Sequence, residues 1–138
     1  MKFKTVFWLK LSIFNLLVVA ALGALMRYKI AFSFPFLDQK HMQHAHSHFA
    51  FIGWVAQTLF ILIIDKLQKN RLSIDTKRYE RLVLLNLFAS YGMLVSFAFQ
   101  GYSAVSIGFS TLSVLVAYVL AYFISDDLKK IPEAVFKP

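Results

Sequence analysis

Four long apolar stretches dominate the sequence and constrain its fold more than any other feature. They cover residues 6–26, 45–64, 82–100 and 103–124. A helix needs about 20 mostly apolar residues to cross the hydrocarbon core of a bilayer, and each stretch has roughly that length. The mean hydropathy of +0.62 agrees with this. The sequence therefore predicts an all-α polytopic membrane protein, in which residues 1–138 form one domain of four antiparallel transmembrane helices.

The first stretch also has features of a signal peptide, because it follows lysines and ends near small residues. Its apolar run continues to Leu25 and Met26, which is longer than the apolar core of a usual signal peptide. We therefore expect a retained membrane span. Asn15 is the strongly polar residue in its interior, and we expect it to form a hydrogen bond to another helix.

The basic residues predict how the helices are oriented in the membrane. Twelve of the 15 lysines and arginines lie before or within the start of the first span, around the second connection, or after the fourth span. Basic residues concentrate on the cytoplasmic side of membrane proteins, so both termini are expected there. The first connection then faces the outside, which is the periplasm if the protein lies in a bacterial inner membrane. Because the net charge of +8 follows this topological pattern, we do not expect nucleic-acid binding.

The first connection leads into a cluster that contains all four histidines of the protein: His41, His44, His46 and His48. Asp38 is a plausible N-cap, which predicts a helix over residues 39–64. Because a helix turns by about 100° per residue, His41, His44 and His48 share one face. His46 then lies on the opposite face, in a stripe with Ala50, Gly53 and Gln57 in which the positions after His46, apart from Gln57, have small side chains.

Imidazole is the commonest metal ligand among side chains. One hypothesis is therefore a zinc or copper site on His41, His44 and His48, used in sensing, metal delivery or assembly. The absence of cysteine excludes thiolate ligands for such a site.

Part of the sequence resembles a known family. Arg27 near the end of the first span, a short loop, and His44-Ala45-His46 before a span with Gly53-Trp54 resemble the start of subunit I, the catalytic subunit of haem–copper oxidases and nitric oxide reductases. This resemblance implies haem at the second helix. It implies His46 as an axial ligand, with His44 or His48 as the next candidates, and Arg27 beside a haem substituent.

The resemblance extends over residues 27–54. The family's second low-spin haem ligand and its copper ligands lie on later helices, whereas the third and fourth spans here contain no histidine. A six-coordinate haem would need Met93 or a histidine from a partner chain. We therefore expect no oxidase or reductase chemistry from this chain alone.

Three functions remain open at this point. The protein is a haem-binding protein related to electron transfer, a divalent-metal binding or assembly protein, or a structural membrane subunit without a cofactor. In each case the expected surroundings are the lipid bilayer and a partner membrane subunit or a second copy of the chain.

Overall fold

The computed structural model describes residues 3–69 and 74–129. It contains four long helices: α1 (Thr5–Ala31), α2 (Gln39–Lys69), α3 (Thr76–Gln100) and α4 (Ala104–Leu128). No strand occurs among the described residues, and each helix is long and apolar enough to cross a membrane. These findings confirm the predicted all-α fold and identify the chain as a multi-pass integral membrane protein.

The helices extend beyond the apolar stretches. The predicted first connection began at Arg27, but α1 continues through Arg27 and Lys29 to Ala31. Proline disfavours helix mainly at the residue before it, so Pro35 does not end a helix as early as Arg27. Likewise α2 passes the predicted end at Ile64 and reaches Lys69. Hydropathy locates the segment that lies in lipid, whereas a helix end depends on capping and chain geometry.

Short capping motifs explain where three of the helices begin. The Asp38 carboxylate accepts a hydrogen bond from the His41 backbone N–H at 2.8 Å, which confirms the predicted N-cap of α2. This bond lowers the pKa of Asp38 below its usual value, because it stabilises the ionised carboxylate. Asp75 caps α3 in the same way, and Ser103 begins α4 with a capping box.

The middle of α2 is wound differently from the rest of the helix. Residues Phe49–Ala56 form a π-helix, in which each residue turns by less than 100°. The predicted stripe below His46 is therefore interrupted. The Gly53 carbonyl accepts a hydrogen bond from Asn15 of α1, but the Gln57 side chain bonds Val83 and Asn86 of α3.

Buried polar contacts join the helices near their middle. Asn15 donates to the Gly53 carbonyl of α2 and accepts from the Tyr91 hydroxyl of α3 at 2.8 Å. The predicted interhelical role of Asn15 is therefore confirmed. Asn86 donates to the Ile52 carbonyl at 3.2 Å, within the π-helical segment. These bonds satisfy polar groups that cannot reach water in lipid.

The end of the helix bundle where α1 begins, here called the basic end, is held by apolar packing and by ion pairs that include a buried one. Its core contains Phe3, Trp8, Ile61, Ile64, Leu67, Tyr79 and Val83. Asp127 is buried beside this core and accepts from Arg78 at 2.9 Å and from the Tyr79 hydroxyl at 2.6 Å. Because the fourth apolar stretch ends at residue 124, the sequence predicts an exposed tail over residues 126–138, and this prediction is wrong for Asp127. Residues 130–138 of that tail lie outside the described residues.

Candidate functional site

The four histidines lie in the first ten residues of α2, which are α-helical. They are therefore at the opposite end of the bundle, here called the histidine end, together with the end of α1 and the turn between α3 and α4. The helical phase separates them as predicted. Three histidines face α3 and the following turn, and one faces α1.

His41, His44 and His48 pack against aromatic rings and a tight turn. The His48 ring stacks on Phe97 with centroids 4.5 Å apart, and the His44 ring meets Tyr102 edge to face at 4.6 Å. The His41 ring lies so close to Gly101 that an added Cβ would be 2.5 Å from it. These three imidazoles are thus part of the packing between α2, α3 and the turn.

This arrangement gives no support to the hypothesis of a zinc or copper site. Among residues 3–69 and 74–129, no group of three or more histidine, aspartate or glutamate side chains is placed to hold a metal ion. The His44 Nε2 atom is buried without a hydrogen-bond partner, but its ring neighbours are Phe97 and Tyr102. These aromatic rings do not supply the further imidazole or carboxylate that a zinc or copper ion would need as a ligand.

His46 has different surroundings. Its Cε1 atom is 3.4 Å from the position that a Cβ at Gly23 of α1 would occupy, so the imidazole packs directly over the α1 backbone. Its Nδ1 atom is buried and has no hydrogen-bond partner. A buried polar atom left in this way is costly, by about 1–3 kcal/mol.

A pocket of about 420 Å³ opens beside His46, and α1 and α2 form its walls. Arg27 and His46 both line it, together with the amide side chains of Gln39 and Gln43 and apolar residues of α1. No ion pair involves Arg27 in the part of the chain that the structure describes. The sequence analysis named Arg27 and His46, but it did not identify the two glutamines, which only the fold brings to this pocket.

Met93, the candidate second ligand within the chain, lies elsewhere. It is fully buried in a cluster with Ala45 and Phe97, between α2 and α3. His44 and His48 also contact Phe97, so they belong to this side of α2. The fold therefore separates His46 from Met93 and from the two histidines that were alternative ligands.

Comparison with known proteins adds no relative: no protein-family model matches the chain, and no curated protein or solved structure does either. The functional evidence in this protein is therefore the pocket between α1 and α2 and the residues that line it.

Proposed function

We propose that this membrane protein binds haem in the pocket between α1 and α2, with His46 as an axial ligand and Arg27 as the partner of a haem propionate. One observation carries the proposal. His46 and Arg27, the two residues that the family resemblance implies for haem, line the same pocket. None of the other three histidines lines it.

The chemistry of the pocket is compatible with a haem. The His46 Nδ1 atom is buried without a hydrogen-bond partner, so one polar atom of the imidazole is not satisfied within the described residues. Met26 and Ile30 supply apolar wall, which suits a flat macrocycle. The Arg27 guanidinium can bind a carboxylate through two parallel hydrogen bonds, and the Gln39 and Gln43 amides can donate further ones.

A bound haem would supply one-electron transfer or the binding of a small gas molecule. The residues of this chain would hold it: His46 as a ligand, Arg27 as the partner of a propionate, and Gly23 because its lack of a side chain lets the His46 imidazole pack against α1. Because Met93 packs in a different cluster, a second axial ligand would come from a partner subunit or a second copy.

A visible spectrum tests the proposal. Protein purified from haem-replete cells should show a Soret band, and His46→Ala should abolish the band or shift it strongly. The matched control is His41→Ala, which removes an imidazole from the same ten residues of helix but outside the pocket. Arg27→Gln should weaken haem binding several-fold without moving the Soret maximum, because it removes a propionate partner and leaves the iron ligand.

Two results would contradict this function. If the parent protein, expressed with adequate haem, shows no Soret band, haem binding is contradicted. A structural membrane subunit without a cofactor is then the better interpretation. An unchanged spectrum in His46→Ala would contradict the ligand assignment, and equal losses in His46→Ala and His41→Ala would point to a general effect on folding.

The orientation in the membrane is part of the proposal, since it determines which compartment the pocket faces. The bias of basic residues supports a cytoplasmic location for the basic end and an outward, periplasmic location for the histidine end in a bacterial inner membrane. Reporter fusions after Phe34 and after Lys137 should then report opposite sides. Fusions that report the same side would contradict the topology.

A further inference from the structure

We propose that the basic end of the protein holds an anionic phospholipid in a cleft between α1 and α3. This inference is independent of haem binding. It concerns two adjoining pockets on the lipid-facing side of α3, one with charged walls and one with apolar walls, which share Arg81 and Leu84.

The first pocket has the chemistry of a headgroup site. It measures about 320 Å³ and is lined by Trp8 of α1 and by Lys77, Glu80, Arg81 and Leu84 of α3. Neither Lys77 nor Arg81 forms an ion pair within the described parts of the chain. They are four residues apart, so both cations project from one face of the helix. Glu80 carries a negative charge, which leaves the walls with a net charge of +1.

Two other basic residues at this end are engaged in ion pairs. Arg78 pairs with the buried Asp127 at 2.9 Å, and Lys69 pairs with Asp65 at 2.6 Å. The Asp75 carboxylate accepts from the first backbone N–H groups of α3, so the helix N-terminus offers no open anion site. Attraction for a phosphate in this cleft therefore comes from the side chains of Lys77 and Arg81.

The second pocket continues the first along α3. It measures about 540 Å³ and is lined by Arg81, Leu84, Leu85 and Phe88. Leu84 and Phe88 are 56% and 60% exposed, and both belong to the predicted span over residues 82–100, so their exposed surface faces lipid. From Lys77 to Phe88 the helix rises about 16 Å, close to half the thickness of the hydrocarbon core.

This order of groups matches the order of groups in a phospholipid. Cations lie at the end of the helix, a tryptophan lies beside them, and apolar surface follows toward the membrane centre. Tryptophan is enriched at the membrane interface, and basic pockets between transmembrane helices bind anionic headgroups. The charge complementarity favours an anionic lipid over a zwitterionic one, and the apolar continuation favours a lipid over a soluble anion.

Trp8 makes the site measurable. In a Trp54→Phe variant it is the remaining tryptophan, so its fluorescence reports on lipid in the cleft. We would reconstitute this variant in phosphatidylcholine vesicles and measure quenching by brominated phosphatidylglycerol and by brominated phosphatidylcholine. The ratio of the two apparent binding constants gives the selectivity for the anionic headgroup.

We expect a selectivity of about fivefold to thirtyfold at low ionic strength, because each basic residue contributes a factor of about five. The double variant Lys77→Gln/Arg81→Gln should reduce the ratio to nearly one, and each single variant should give an intermediate ratio. The control Lys10→Gln/Lys66→Gln removes two exposed charges that do not line either pocket. It should stay within about twofold of the parent.

Three results would overturn the proposal. A ratio of one in the parent would show that the cleft does not select an anionic lipid. Equal losses in the site variant and in the control would assign the preference to diffuse surface charge. Relief of quenching by millimolar inorganic phosphate would assign Lys77 and Arg81 to a soluble anion.

Discussion

Replacement of Asn15 by leucine should test how much the buried polar contacts stabilise the bundle. Asn15 is fully buried in α1 and bonds both the Gly53 carbonyl of α2 and the Tyr91 hydroxyl of α3. Interhelical hydrogen bonds in membrane proteins average about 0.6 kcal/mol and reach about 1.7 kcal/mol. With two bonds lost, Asn15→Leu should lower the free energy of unfolding by about 1–3 kcal/mol.

The assay is equilibrium unfolding in mixed micelles with increasing dodecyl sulfate, followed by circular dichroism. Tyr91→Phe removes one of the two bonds, so a double-mutant cycle of the pair should give a coupling energy of about 0.5–1.7 kcal/mol. Leu17→Ala is the matched control on the same helix, because that side chain is 64% exposed. Unchanged stability in Asn15→Leu, or additivity with Tyr91→Phe, would refute the reasoning.

Three further changes have expected outcomes at other positions. Gly101→Ala should lower the free energy of unfolding by about 1–3 kcal/mol, because Gly101 has φ +62° and the new Cβ would meet His41. Asp127→Asn should cost about 1–3 kcal/mol, since the partly exposed Arg78 would lose its charge partner; both changes are measured by the same unfolding assay. Asp38→Ala should loosen the first turn of α2, measured as faster hydrogen exchange at the His41 amide. The pKa of Asp38 is lowered in the folded state, so its capping contribution is present above its unfolded value and is lost as pH falls through the folded pKa.

Controls separate these effects from general perturbation. At Gly108 an added Cβ meets no atom within 4 Å, and alanine has the higher helix propensity, so Gly108→Ala should leave stability unchanged or raise it by up to about 1 kcal/mol. An equal loss in both glycine variants would contradict the role of the turn. Glu80→Gln removes a negative charge from α3 outside the Asp127 contact and should be nearly neutral. At neutral pH, unchanged exchange in Asp38→Ala would show that the cap does not hold the first turn.

The sequence determined the features that follow from the chemistry of the bilayer and from the geometry of a single helix. Four apolar runs of about 20 residues leave few alternatives to four membrane helices. Asn15 could be assigned to an interhelical bond because lipid offers it no other partner. The local phase of His41 to His48 was also predictable, since this segment is a regular α-helix with an aspartate cap.

The features that depend on contacts between helices were decided by the tertiary structure. The π-helical segment Phe49–Ala56 changed the phase along α2, because the turn angle there depends on contacts such as Asn15 with Gly53 and Asn86 with Ile52. Burial of Asp127 needed Arg78 and Tyr79 from another helix. The pocket at His46 likewise needed α1 to continue past Arg27. Sequence periodicity reports the face of one helix, whereas which neighbour covers that face depends on packing between segments far apart in the chain.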